Sequence, residues 1–175
     1  MMGRTHAIFG AGVVVPIALI SGQPAVIGIG LISALVPDLD ASDGALKHWY
    51  IMIGSGKNKI RIKPFYPIAE IVSLFFKHRG FLHSLYAAII FGVVLLIFTP
   101  WYYAFAGFFG YLSHIILDAC TPAGVPLLLL GDWHLLPKHL RIRTGSYVEN
   151  LFLVAAGALV FVYMIPILLN GLNTP

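Results

Sequence analysis

Apolar runs close to the length of a bilayer crossing follow one another along this chain, and every Lys and Arg falls outside them, before the first run or in the intervals between runs. The longest run, residues 7–36, reads AIFGAGVVVPIALISGQPAVIGIGLISALV; others cover 81–99, 101–120 and 147–169. A crossing takes about 20 apolar residues, and one soluble domain has too little interior to hide several such runs. Composition agrees, with 59% hydrophobic and only 10% charged residues among 175 and a mean hydropathy of +0.89. Soluble domains carry about 25% charge. We therefore expect an all-α, polytopic membrane protein forming a single membrane-embedded domain over 1–175. Disordered, collagenous and disulfide-scaffold classes are excluded, since hydrophobicity is high and Cys120 is the one cysteine.

The basic residues are Arg4, then Lys47, Lys57, Lys59, Arg61, Lys63, Lys77 and Arg79, then Lys138, Arg141 and Arg143. Their net excess of +4 reads as a juxtamembrane topology signal, with membrane lipids as partners and no nucleic acid. As one helix, residues 7–36 would run about 45 Å, too long for one crossing. The Ser21-Gly22-Gln23-Pro24 centre is a turn signal, which predicts two short helices in a hairpin that dips into the bilayer. Residues 81–99 and 101–120 predict a second pair, turning at Thr99, Pro100 and Trp101 beside Tyr102 and Tyr103, and 147–169 a fifth span. Between them, 41–64 predicts a polar, basic cytoplasmic loop and 65–76 (FYPIAEIVSLFF) an amphipathic helix on the membrane surface. Arg4 before an apolar stretch imitates a secretory signal, but the small-residue cleavage pattern is poor, so the segment is expected to stay. With both pairs as hairpins, the amino terminus, 38–80 and 121–146 share one side with every Lys and Arg. That places a multi-pass protein in the plasma (inner) membrane with this side in the cytoplasm and the end of the fifth span outside.

Acids and imidazoles collect at the same side. His6 precedes the first helix, Asp38 and Asp40 follow the second, His78 and His83 flank the start of the third, and His114 and Asp118 end the fourth. Residues four apart on a helix differ by about 40° in direction, so His114 and Asp118 can hold one ion between them. Asp38 and Asp40, one residue apart after Pro37, are expected in extended chain that throws both side chains to one face. Gly80 allows a bend that keeps His78 and His83 from diverging. Imidazole and carboxylate suit zinc, manganese or iron, and four His with three Asp exceed what one zinc uses, so one or two ions are expected. Each residue also has a structural alternative. His6 suits a headgroup anchor, Asp38 or Asp40 a helix cap, and His78 an interfacial position beside Arg79. His83, His114 and Asp118 suit helix-packing hydrogen bonds. His48, His134 and His139 lack a partner at ligand spacing and read as interfacial; Cys120 reads as a small packed residue.

Thr5-His6, Pro37-Asp38-Leu39-Asp40, His78-Arg79-Gly80-Phe81-Leu82-His83-Ser84, Gly110-Tyr111-Leu112-Ser113-His114 through Asp118, and Thr121-Pro122-Ala123-Gly124-Val125-Pro126 together resemble the YdjM-type family of inner-membrane, predicted metal-dependent hydrolases. The resemblance covers nearly the whole chain. It implies metal-ligand roles for His6, Asp38, Asp40, His78, His83, His114 and Asp118. It also draws in Thr144-Gly145-Ser146 and Glu149, which would bring a further acid to the start of the fifth span. In ligand logic the family is similar to zinc-dependent phospholipase C. Leu82 stands where the family more often has Thr, a departure that touches a hydroxyl beside a ligand rather than a ligand.

These readings converge on a membrane-bound, metal-dependent hydrolase acting through a metal-activated water on a phosphoester of lipid or lipid-linked type. Asp38 and His83 take the catalytic roles, and Arg79 is placed to hold phosphate. Zinc is the expected ion and manganese the alternative. The rival class is a non-enzymatic membrane protein with a structural or transported ion. A carrier needs polar residues through the bilayer, and the far halves of these helices offer almost none.

Overall fold

Helix α1 (Gly3–Val13) passes through Val14 into α2 (Val15–Ser21), where Pro16 at the start of α2 lacks the N–H needed to continue α1 unbroken. Gly22, at φ 66, closes α2 in the left-handed conformation that costs glycine least, and the chain returns as α3 (Ala25–Ser33). The computed structural model describes residues 1–41, 44–54, 59–76 and 79–172. The expected first hairpin is therefore present, with α1 beginning at Gly3, so that His6 lies inside the helix rather than ahead of it.

A second hairpin follows in α6 (Leu85–Phe98) and α7 (Trp101–Ala119), and α8 (Tyr147–Leu172) packs along α1. Ser84 caps α6, its hydroxyl accepting from the Ala87 amide at 3.3 Å. Between α3 and α6, residues Ala45–His48 form α4 and Tyr66–Phe75 form α5. Three helices meet at Gly10 of α1, Gly30 of α3 and Gly110 of α7, so closely that a Cβ on any one would collide with the backbone of another. Small residues at a membrane-type interface allow this approach, and it holds the upper turns of α1, α3 and α7 together.

Two apolar cores flank this junction. Val14, Val15, Ala18, Val26, Ile27 and Ala106 fill the space between the first hairpin and α7. Ala87, Ala88, Tyr111, Ile115, Ala119 and Val125 fill the space between α6 and α7. The outer faces of α6 and α8 expose Leu96, Ile97, Phe98, Leu151, Val154 and Phe161, which suits a hydrocarbon solvent. Gly3–Ser21 and Tyr147–Ile165 are each long and apolar enough to cross a membrane; α6, at 14 residues, is shorter.

The structure departs from the sequence reading in two places. Residues 41–64 are more than a loop. They hold α4 and an antiparallel hairpin of β1 (Ile51–Ile53) and β2 (Ile60–Ile62), paired Ile51 to Ile62, Met52 to Arg61 and Ile53 to Ile60. β-branched residues on both strands favour this pairing, and the Arg61 guanidinium stacks 4.4 Å over the Tyr50 ring. The expected surface helix is α5, with Ala69 buried, Ile68, Ile71, Leu74 and Phe75 exposed, and a 2.7 Å bridge from Glu70 to Lys47. The second departure is Pro37–Asp40, which is a 3-10 turn and not extended chain. At three residues per turn, positions two apart point about 120° from each other. Asp38 and Asp40 therefore do not share a face.

Candidate metal centre

The last two turns of α7 carry His114 and Asp118 on one side, as the four-residue spacing predicts. His114 is fixed from behind: its Nδ1–H donates to the Ala34 carbonyl at 2.8 Å, one of the carbonyls left without a helical partner at the end of α3. A carbonyl only accepts, so the proton sits on Nδ1 and the Nε2 lone pair faces inward, the arrangement by which proteins orient an imidazole ligand. His83 ends the 3-10 turn Phe81–His83, and this turn is held by the Tyr111 hydroxyl, which donates to the Leu82 carbonyl at 2.6 Å. His6 stacks on His114 with centroids 3.7 Å apart and planes 17° apart. Asp38 enters from the Pro37–Asp40 turn.

Five side chains from four segments thus converge. His83 Nε2 lies 3.3 Å from His114 Nε2 and 3.4 Å from Asp38 Oδ1, and His114 Nε2 lies 3.6 Å from Asp38 Oδ1. Asp118 Oδ2 lies 3.8 Å from His114 Nε2 and 4.0 Å from His83 Nε2. Its other oxygen, Oδ1, lies 3.3 Å from His6 Nε2 and accepts from the Met1 amino group. Two groups of three donors result, His6, His114 and Asp118 on one side and Asp38, His83 and His114 on the other, with His114 in both.

The spacing suits a metal ion. A tetrahedral ion with bonds of about 2.1 Å separates its ligand atoms by about 3.4 Å, and the separations run from 3.3 to 4.0 Å. Burial adds a second argument: His6 is fully buried, yet neither ring nitrogen makes a hydrogen bond. Such a group is costly without a partner, and an ion between the donors would supply one. The side chain of Asp38 is 19% exposed, whereas the three imidazoles are fully buried and Asp118 nearly so. Burial pushes the Asp38 carboxyl up, but the hydrogen bond to His83 and the charges of His114, His6 and His83 outweigh it and hold it well below the usual carboxylate range. Arg79 stands at the rim, about one-third exposed, its guanidinium 3.7 Å from Asp118 Oδ2. Its backbone, at φ 59, makes the bend that the sequence reading gave to Gly80.

His6, Asp38, His83, His114, Asp118 and Arg79 are thus brought together. His78 lies outside the described residues. Asp40 is buried but belongs to neither donor group, because the 3-10 turn carries it away. Glu149 belongs to neither as well. Its carboxylate accepts from the Met2 amide at 2.6 Å, the Thr5 hydroxyl at 2.8 Å and the Gly145 amide at 2.7 Å, clamping the start of α1 to the start of α8. It holds the helix that carries His6. His134 contacts the Pro122 carbonyl, and His48 and His139 are exposed. The sequence reading missed the supports: Tyr111, the Ala34 carbonyl and Thr5. Tyr111 and Thr5 stood inside quoted motifs, whereas a backbone carbonyl leaves no mark in a sequence.

Comparison with known proteins identifies the family. The family model described as YdjM inner membrane protein matches residues 1–170. Inner membrane protein YdjM of Escherichia coli (strain K12) is 36% identical over 94 residues, 50% of this chain and 48% of that protein, and that of Shigella flexneri gives the same figures. The match thus spans about half the length of these two relatives. YvsG of Bacillus subtilis (strain 168) is 31% identical over 162 residues, 87% of this chain and 88% of that protein. No solved structure matches. With a family match over residues 1–170 and a relative 31% identical over 87% of this chain, the chain belongs to the YdjM inner membrane protein family.

Proposed function

We propose that the centre binds one or two divalent ions, zinc or manganese, and that the protein is a hydrolase of phosphoesters presented at the membrane surface. The observation that carries this reading is the convergence of His6, His83, His114, Asp38 and Asp118, with Asp38 alone open to solvent. A bound ion supplies an activated water and neutralises charge on phosphate. The chain's own groups divide the remaining work. Asp38, at the open edge, accepts a proton from an incoming water. His83 and His114 fix the donors on either side of it, and the Arg79 guanidinium reaches a phosphate oxygen with paired N–H donors. On this reading the two hairpins and α8 are five membrane-embedded segments with the centre on the cytoplasmic side, which the positive intervals favour. Reporter fusions within 41–64 should then read inside and fusions after α8 outside.

One observation favours a second reading. Asp38, His83 and His114 stand 3.3 to 3.6 Å apart, and Asp118 approaches His114 and His83 at 3.8 and 4.0 Å; a site closed by protein ligands makes its ion structural. The deciding experiment is an assay of purified, metal-loaded protein on phospholipids, isoprenoid phosphates and a chromogenic phosphodiester. Cleavage that a chelator abolishes, and that His83→Ala and Asp38→Ala each remove, supports the hydrolase. No cleavage of any of these by fully metallated protein establishes the structural ion instead.

A further inference from the structure

Beside the centre, a cleft of about 410 Å³ opens between α1, α7 and α8. Its wall is almost wholly apolar, with Phe9 and Val13 from α1, Phe109 and Leu117 from α7, and Ala156 and Tyr163 from α8. Ser113 also lines it, but the Ser113 hydroxyl donates to the Gly110 carbonyl at 2.7 Å and leaves no donor for a polar guest. The size falls within the range of small-molecule sites, about 300–1,000 Å³.

Position gives the cleft its meaning. Leu117 and Ser113 adjoin Asp118 and His114 in α7, and Phe9 lies one turn along α1 from His6. The cleft therefore begins within one residue of two donors along α7, on a neighbouring face of the helix, and runs down α7 to Phe109, about 12 Å at ~1.5 Å per residue. A comparable apolar cleft of about 260 Å³ lies between α6 and α7, lined by Gly92, Leu96, Phe105 and Phe108, and none of its lining is next to a donor. The first cleft therefore joins the neighbourhood of a charged centre to a dry channel, the division a lipid has between headgroup and tail.

We propose that this cleft seats one hydrocarbon tail of a membrane lipid, whose headgroup then lies against the centre; only the headgroup's fate rests on the hydrolase reading. The tail enters sideways from the bilayer between α7 and α8, which are not packed together as α1 and α8 are, and no water-filled path is needed. An acyl chain fits where a polar ligand would strip its hydration without return.

The test is photolabelling of the full chain in nanodiscs containing phosphatidylglycerol with a diazirine at the end of one acyl chain. Label should concentrate on peptides holding Phe109 and Tyr163. Ala156→Trp, and separately Val13→Trp at an exposed position, should lower it about tenfold, the loss of contact with about two methylene groups. Label at Leu96 and Phe105, and bound metal, should not change. Equal label in both clefts, or label indifferent to both substitutions, would show ordinary bilayer lipid and overturn the proposal; so would cross-links joining two copies of the chain through the cleft. Selective label on a protein that cleaves no phosphoester leaves the tail site standing and removes the hydrolase. Cleavage of lipid phosphoesters without selective label does the reverse.

Discussion

His83 and His114, 31 residues apart in the chain, bring their Nε2 atoms to 3.3 Å. Neither position is fixed by its own helix alone. His114 is turned by the Ala34 carbonyl from α3, and His83 rides on a 3-10 turn tethered through Leu82 to Tyr111. The pair therefore reports whether the first hairpin, the 79–84 bend and α7 are docked together.

Tyr111→Phe removes that tether while keeping the ring in its core, where it packs beside Phe91. Losing one hydrogen bond costs about 0.5–1.5 kcal/mol, so the protein should still fold. Metal affinity should fall about tenfold, as it does when groups supporting a ligand are removed. Titration with a chelating indicator measures this, and an affinity equal to wild type would show that the bend holds His83 unaided.

The glycine junction should be intolerant. Gly110→Val places methyl groups against the Gly30 backbone, whereas Gly28→Ala meets nothing within 4 Å. Overpacking costs about 1–3 kcal/mol or more where backbone cannot yield. Thermal unfolding in detergent should show Gly110→Val strongly destabilised and metal-poor, and Gly28→Ala unchanged.

Glu149→Gln separates a clamp from a ligand. Hydrogen bonds to a charged group contribute about 1.5–3 kcal/mol each, and three donors converge on this carboxylate. The variant should melt earlier and keep most of its metal below the transition. Full metal loss with unchanged melting would make Glu149 a ligand.

Mild acidification should leave Asp38 ionised and available to an ion. The folded Asp38 carboxyl lies below its ordinary value. Its contribution to stability is thus complete above about pH 4 and is lost only as pH falls through the lowered value. Wild type should therefore lose no binding through this carboxyl down to about pH 4, while Asp38→Asn should weaken binding at every pH above it, which equilibrium dialysis would reveal; an Asp38→Asn variant that binds like wild type would contradict this.

Much of this was legible in the sequence because helix length, turn residues and charge position are local. Ser21 through Pro24 marked the first turn, Thr99 and Pro100 the second, and the i, i+4 spacing of His114 and Asp118 marked the chelate. The β1–β2 hairpin was hidden by the weight given to its charges, although its alternating Ile residues were in view. Asp40 was misplaced because the two residues after Pro37 were expected to be extended, whereas their carbonyls and amides close a 3-10 turn against α3. Glu149 was drawn toward the centre by its motif, and only the three-dimensional docking of α1 on α8 shows its carboxylate occupied by amides and a hydroxyl.

The central claim is that these donors form a metal centre, and elemental analysis of purified protein tests it most directly. Wild type, His114→Ala and His134→Ala are compared for metal bound per chain. Because His114 belongs to both donor groups, its loss should remove most metal while the protein still inserts, and His134→Ala should match wild type at one or two ions. Wild type without a divalent ion after exposure to zinc and manganese, or His114→Ala with an undiminished content, would contradict the account.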